Sequence, residues 1–250
     1  MPARLCASIG SPRLVSLALL VFGAVCVSAC GGDEKPPPKT QVEAGAPKTE
    51  GNGLRGIRTS SEIGGMNEEQ VDATFKSALA SLERCLNRGT ERIEFLGGSV
   101  SFFIKVNSDG KVSESYLEKS TLGDRETEKC MLSTLRNRSW PKPVGGMHGL
   151  ARKSFDFDPP NDVRPPLEWD SEHIKSALKK LSDKLDECRD GNAGTFEATA
   201  YVSTEGSVLA AGVTPPNQAG ESAVDCMVEA IRGASFPSPG SWPAKVSFSL

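Results

Sequence analysis

Apolar residues recur at helical spacing from Val71 through Phe75, Leu79 and Leu82 to Leu86, and again from Ile174 through Leu178 and Leu181 to Leu185. Steps of three and four residues place each set on one face of a helix. After each stripe the period drops to two. Val100, Phe102, Ile104 and Val106 alternate with more polar positions, as do Phe196, Ala198, Ala200 and Val202, the pattern of a strand with one buried face. Asp109-Gly110 and Glu205-Gly206 supply hairpin turns, and Val112 and Val208 open the returning strands,. A second short helix follows over about 124–137 and 219–232, carrying Cys130, Met131 and Leu135, or Cys226, Met227 and Ile231. Trp140-Pro141-x-Pro143 and Phe236-Pro237-x-Pro239 end these helices, because proline cannot continue the hydrogen-bond ladder,. A last alternating strand holds Phe155 and Phe157, or Val246, Phe248 and Leu250.

The two halves are copies of one module. A constant offset of 96 matches Gly98 with Gly194, Gly110 with Gly206, Val112 with Val208, Cys130 with Cys226, Met131 with Met227 and Arg136 with Arg232,. Upstream, Cys85 matches Cys188 at an offset of 103, so the first copy carries seven extra residues before Gly98. Downstream, Ser154-Phe155-Asp156-Phe157 corresponds roughly to Val246-Ser247-Phe248-Ser249. Asn67, three before Gln70 and flanked by Met66 and Val71, reads as a capped and stapled helix start; Asp170 between Trp169 and Ile174 reads likewise,. The predicted class is α+β: two tandem helix-hairpin-helix-strand modules, each an antiparallel sheet packed against two helices. Expected boundaries are 67–158 and 170–250, joined by a stiff Pro-rich connector over 159–169.

Residues 1–29 carry Arg4 and Arg13, no acid, and an apolar run from Leu14 to Ala29. Sixteen residues suit a secretory signal better than a membrane span,. Val27-Ser28-Ala29-Cys30 resembles the lipobox of bacterial lipoproteins, which implies cleavage before Cys30 and lipidation of its sulfur. Gly31-Gly32 follow, with no Asp directly after Cys30; by resemblance to the sorting rule of many Gram-negative bacteria, this implies the outer membrane, facing the periplasm. Residues 30–66 read as a tether: 31–66 hold eight Gly and four Pro, too little apolar area to fold alone,.

Of seven cysteines, Cys6 and Cys26 leave with the signal and Cys30 is the lipid site. Four remain, at matching places in the two copies. The repeat selects Cys85–Cys130 and Cys188–Cys226 as disulfides, permitted by an oxidising compartment,. Without residues 1–29 the chain has 27 basic and 32 acidic side chains, net −5. No basic stripe supports a nucleic-acid partner.

Helix ending in Cys, hairpin with x-Gly at its turn, second helix containing Cys, aromatic-Pro-x-Pro and final apolar strand together resemble the AgmX/PglI C-terminal domain. That family is similar to the TonB C-terminal domain and common in myxobacterial envelope proteins. The resemblance covers about 67–157 and 170–250. It implies a periplasmic binding or force-transmitting module, not a catalyst, and TonB-like domains engage a partner by adding a strand at a sheet edge. The expected edges lie near 150–157 and 243–250, with Phe95, Phe155, Trp242 and Phe248 as candidate contacts and the extra loop 90–97 marking copy one.

Chemistry is sparse. His148 sits in a Gly-rich loop without a counterpart in copy two, and His173 lies in a first helical turn. Asp156, Asp158 and Asp162 lack the spacing of a calcium loop,. The four paired cysteines have no C-x-x-C knuckle for zinc,. No catalytic residue, cofactor, metal or small-molecule substrate is expected. The expected function is a lipid-anchored adaptor or scaffold with an envelope-protein partner, the alternative being a glycan-binding module that stacks sugar on Trp242.

Overall fold

The computed structural model describes residues 57–250; the segment read as a signal, Cys30 and the first part of the segment read as a tether lie outside them. The first copy runs β1 (Ile57–Gly64), α1 (Glu68–Thr90), β2 (Gly98–Asn107), β3 (Val112–Ser120), α2 (Arg125–Arg136) and β4 (His148–Phe157). The second runs β5 (Leu167–Trp169), a 3₁₀ turn at Ser171–Ile174, α3 (Lys175–Arg189), β6 (Glu197–Val202) and β7 (Val208–Thr214). A 3₁₀ turn at Gln218–Gly220, α4 (Glu221–Arg232) and β8 (Ala244–Ser249) complete it. The fold is α+β, two sheet-plus-helix modules. The sheets have strand orders β1-β4-β2-β3 and β5-β8-β6-β7, antiparallel except for the parallel β5–β8 pair.

Local chemistry accounts for the elements. Asn67 Oδ1 accepts from the Gln70 N–H at 3.0 Å, satisfying a donor that the helix leaves free. The stripe then turns Val71, Phe75, Ala78 and Leu82 inward. Phe75 meets Trp140 edge-on at 5.0 Å and Phe155 at 6.0 Å. In the second copy Asp170 caps the 3₁₀ turn, through the Glu172 N–H at 2.8 Å, and α3 itself has no side-chain cap.

Both hairpins use one device. Asn107 Oδ1 accepts from the Asp109 and Lys111 N–H groups, and Ser203 Oγ accepts from those of Glu205 and Ser207. Gly110 and Gly206 follow with φ of 80° and 84°. The Trp140 N–H donates to Gly110 O at 3.0 Å and the Phe236 N–H to Gly206 O at 2.8 Å. The aromatic-Pro segment thus docks on the hairpin turn, where a Cβ on Gly110 would lie 2.5 Å from Trp140 O. Disulfides join Cys85 to Cys130 and Cys188 to Cys226, with Cα separations of 5.7 and 5.5 Å. On the chain-entropy account a loop of this size stabilises by about 4 kcal/mol.

Three features differ from the sequence reading. Part of the segment read as tether is a strand: β1 lies antiparallel along β4, from Ile57 opposite Phe157 to Gly64 opposite Leu150. Likewise β5 arises from the connector and pairs with β8 from Leu167–Ala244 to Trp169–Val246. Consequently β4 and β8, expected at edges, are interior strands. Register also sharpens the repeat. Ala151 lies opposite Ile104 and Val246 opposite Ala200, so Ala151 and Val246 are the equivalent residues, three positions from the rough correspondence.

Candidate interaction surfaces

The outer faces of the two sheets are built at matching lattice points from opposite materials. In the first module Phe103 lies opposite Tyr116 and Lys105 opposite Glu114. The two rings stack with centroids 4.9 Å apart. The Arg152 guanidinium lies 5.1 Å from the Phe103 centroid and pairs with Glu118 at 2.8 Å. Lys105 and Glu114 pair at 2.6 Å. At the offset of 96, the second module has Thr199 opposite Gly212 and Tyr201 opposite Ala210. Thr199, Gly212 and Ala210 are smaller than Phe103, Tyr116 and Glu114, and uncharged Tyr201 stands in place of Lys105, so the first module closes against this sheet with the Tyr201 ring filling the gap.

Every one of those four positions meets the first module. Tyr201 is fully buried and, with Ala210, belongs to the first module's core. Its hydroxyl donates to Gly97 O at 3.1 Å, and burial pushes its pKa well above the ordinary tyrosine value. A Cβ on Gly123, which holds φ 72°, would approach Thr199 Cγ2 to 2.8 Å. A Cβ on Gly212 would lie 2.5 Å from both carboxyl oxygens of Glu128. Beside Tyr201, Lys245 donates to Gly97 O at 2.7 Å, and burial holds its pKa below the usual lysine range.

Glu128 is the seam's most unusual group. Its side chain is buried and accepts from Ser120 Oγ at 2.6 Å through Oε1, while Oε2 has no hydrogen-bond partner among the described residues. Burial dominates and pushes its pKa up to about 7, against the lowering effects of the Ser120 hydrogen bond and the Arg125 charge,. Around it, Arg125 reaches Glu221 at 3.0 Å and Asp225 at 2.8 Å, and Lys129 reaches Asp225 at 2.9 Å. Burial opposes the Asp225 charge, but hydrogen bonds from Arg125 and Lys129 hold its carboxyl below the ordinary aspartate range. Gln218 Oε1 accepts the Ser115 N–H at 2.7 Å.

The residues named from sequence as partner contacts are engaged within the chain. Phe95 is buried against Tyr201, with centroids 5.5 Å apart. Ile93 and Leu96 are buried too, so the extra loop 90–97 fills core and seam. Phe155 and Phe248 are buried in the two cores. Trp242 is half-buried: its N–H donates to Pro165 O at 2.9 Å and Arg164 lies 4.9 Å from its ring centroid. His148 is exposed at the start of β4, and His173 stacks on Trp169 at 5.0 Å. Among the described residues, no group of three or more His, Cys, Asp or Glu is placed to hold a metal ion, and no helix is long and apolar enough to cross a membrane.

The sheet edges carry the remaining interest. Among the described residues, β1 has a neighbour on its β4 side only. β5 covers just the first three residues of β8, so Ser247–Ser249 pair with β6 alone. Neither strand was legible as an edge, because edge pairing is a main-chain interaction that side-chain periodicity does not report. Compared with known proteins, the chain matches no family model, no curated protein and no solved structure.

Proposed function

We propose that this protein is a lipid-anchored, non-catalytic adaptor of the cell envelope that holds another envelope protein by strand addition beside β1. One observation carries the reading: the chain lays its own segment Ile57–Gly64 along β4 through eight register pairs. A sheet that accepts an extended segment through main-chain bonds, with no further strand beside that segment among the described residues, offers a template for strand addition,. The resemblance to AgmX/PglI and TonB C-terminal modules points the same way. A lipid on Cys30 would keep this edge close to a membrane surface. Glycan binding has less to favour it, since Trp242 is engaged by Arg164 and Pro165.

The test is crosslinking in the native cells, comparing the intact lipoprotein with a Ser60→Pro variant. Proline in the middle of β1 removes a donor and disrupts the edge. One envelope protein recovered with the wild type and depleted at least tenfold with the variant is the expected result. Equal recovery from both, or glycan fragments alone, would contradict it.

A further inference from the structure

Two ion pairs across the seam join residues that are each other's equivalents. Arg125 and Glu221 are 96 apart, and so are Lys129 and Asp225, the offset that relates Cys130 to Cys226. α2 and α4 begin and end at positions related by the same offset. The equivalent strands β3 and β7 also meet. When a residue touches its own counterpart in a second copy, the copies face each other about a two-fold relation, as in an isologous dimer. Here both copies lie in one chain.

At both self-facing positions the charge is inverted between copies. We infer that the seam is an internal pseudo-dimer interface whose partner is specified as the opposite module: a basic Arg125/Lys129 face fits only an acidic Glu221/Asp225 face. Two first modules brought together the same way would set Arg against Arg and Lys against Lys. Two second modules would set Glu against Glu and Asp against Asp. Like charges at such contacts reject the wrong pairing while the inverted pair accepts the right one. Arg125 makes this more than a rim effect, since its side chain is only 10% exposed and it bonds both Glu221 and Asp225. The asymmetric contacts, Tyr201 on Gly97 and Gly212 under Glu128, then add to a pairing whose identity the charges select.

The experiment uses the whole chain with a protease site placed in the connector within 159–166, cut after folding. The nicked wild type should elute as one 1:1 particle at micromolar concentration. Nicked Arg125→Glu/Lys129→Asp and nicked Glu221→Arg/Asp225→Lys should each separate at concentrations at least tenfold higher than the wild type does. Mixing those two nicked variants should restore pairing crosswise, acidic first module with basic second module, and the four-fold variant in one chain should hold together like the wild type. If either double variant fails to fold, the four-fold variant decides alone. Separation of the nicked wild type, indifference of the double variants, or a four-fold variant no tighter than the doubles would each overturn the inference.

Discussion

The two modules share a plan and differ in what their sheets face. In the first, the outer face carries Phe103 stacked on Tyr116 and the Lys105–Glu114 pair. In the second, the same points carry Thr199, Gly212, Tyr201 and Ala210, and the first module covers them. The edge strands follow suit. β3 alternates buried and partly exposed residues, whereas β7 is buried from Ala210 through Thr214. The lesson is that the repeat supplies two equivalent surfaces, and loss of bulk at Thr199 and Gly212 with loss of charge at Tyr201 and Ala210 marks the one that became an internal joint. Among the described residues the first module has β1 at the end of its sheet, and the second module's sheet is covered by the first.

The largest expected effect breaks the equivalence of the cores. Phe75 packs against Trp140 and Phe155, while its counterpart Leu178 is only partly buried. Phe75→Ala should cost about 4 kcal/mol and Leu178→Ala clearly less, read from urea denaturation. Equal losses would deny the asymmetry.

Next comes pH. Glu128 titrates near 7 in the folded protein against an ordinary value of 4.5, so the folded state binds its proton more tightly than the unfolded state. Its contribution is therefore fully present below about 4.5 and declines as pH rises to about 7, by about 3 kcal/mol in total. Glu128→Gln should remove that slope in a stability-against-pH series. An unchanged slope would place the titration elsewhere.

Gly212→Tyr gives the second module the residue that the first has at the equivalent point. Overpacking against Glu128 should cost about 2 kcal/mol by calorimetry, whereas the reverse swap Tyr116→Gly should leave the seam intact. The smallest effect concerns the caps. Asn67→Ala should cost about 1 kcal/mol, and Asp170→Ala less, because Asp170 caps a short 3₁₀ turn rather than α3 itself.

Much of the fold was legible because its causes are local or periodic. The stripes, the x-Gly turns, the Asn67 cap and the repeat-matched cysteines all report side-chain positions. β1 and β5 were not, since they join their sheets through the backbone, and Leu167–Trp169 is too short to show a period. Phe95, Phe155 and Phe248 read as contacts because aromatic residues suit both surfaces and cores, and their burial depends on strand order. The seam had a signal that could have been found. Charge inversion at a fixed offset, Arg125 to Glu221 and Lys129 to Asp225, and aromatic-to-small changes at Phe103/Thr199 and Tyr116/Gly212 are visible in the aligned copies.

The most direct test of this division between covered base and edge strand is amide hydrogen exchange on the intact protein, resolved by peptide. β1 is predicted to exchange through local opening, at least a hundredfold faster than β2, while β7 and the start of α2 stay protected to the level of global unfolding. If β7 exchanged as fast as β1, or β1 were as protected as β2, the second module would not be the covered base nor β1 the edge strand.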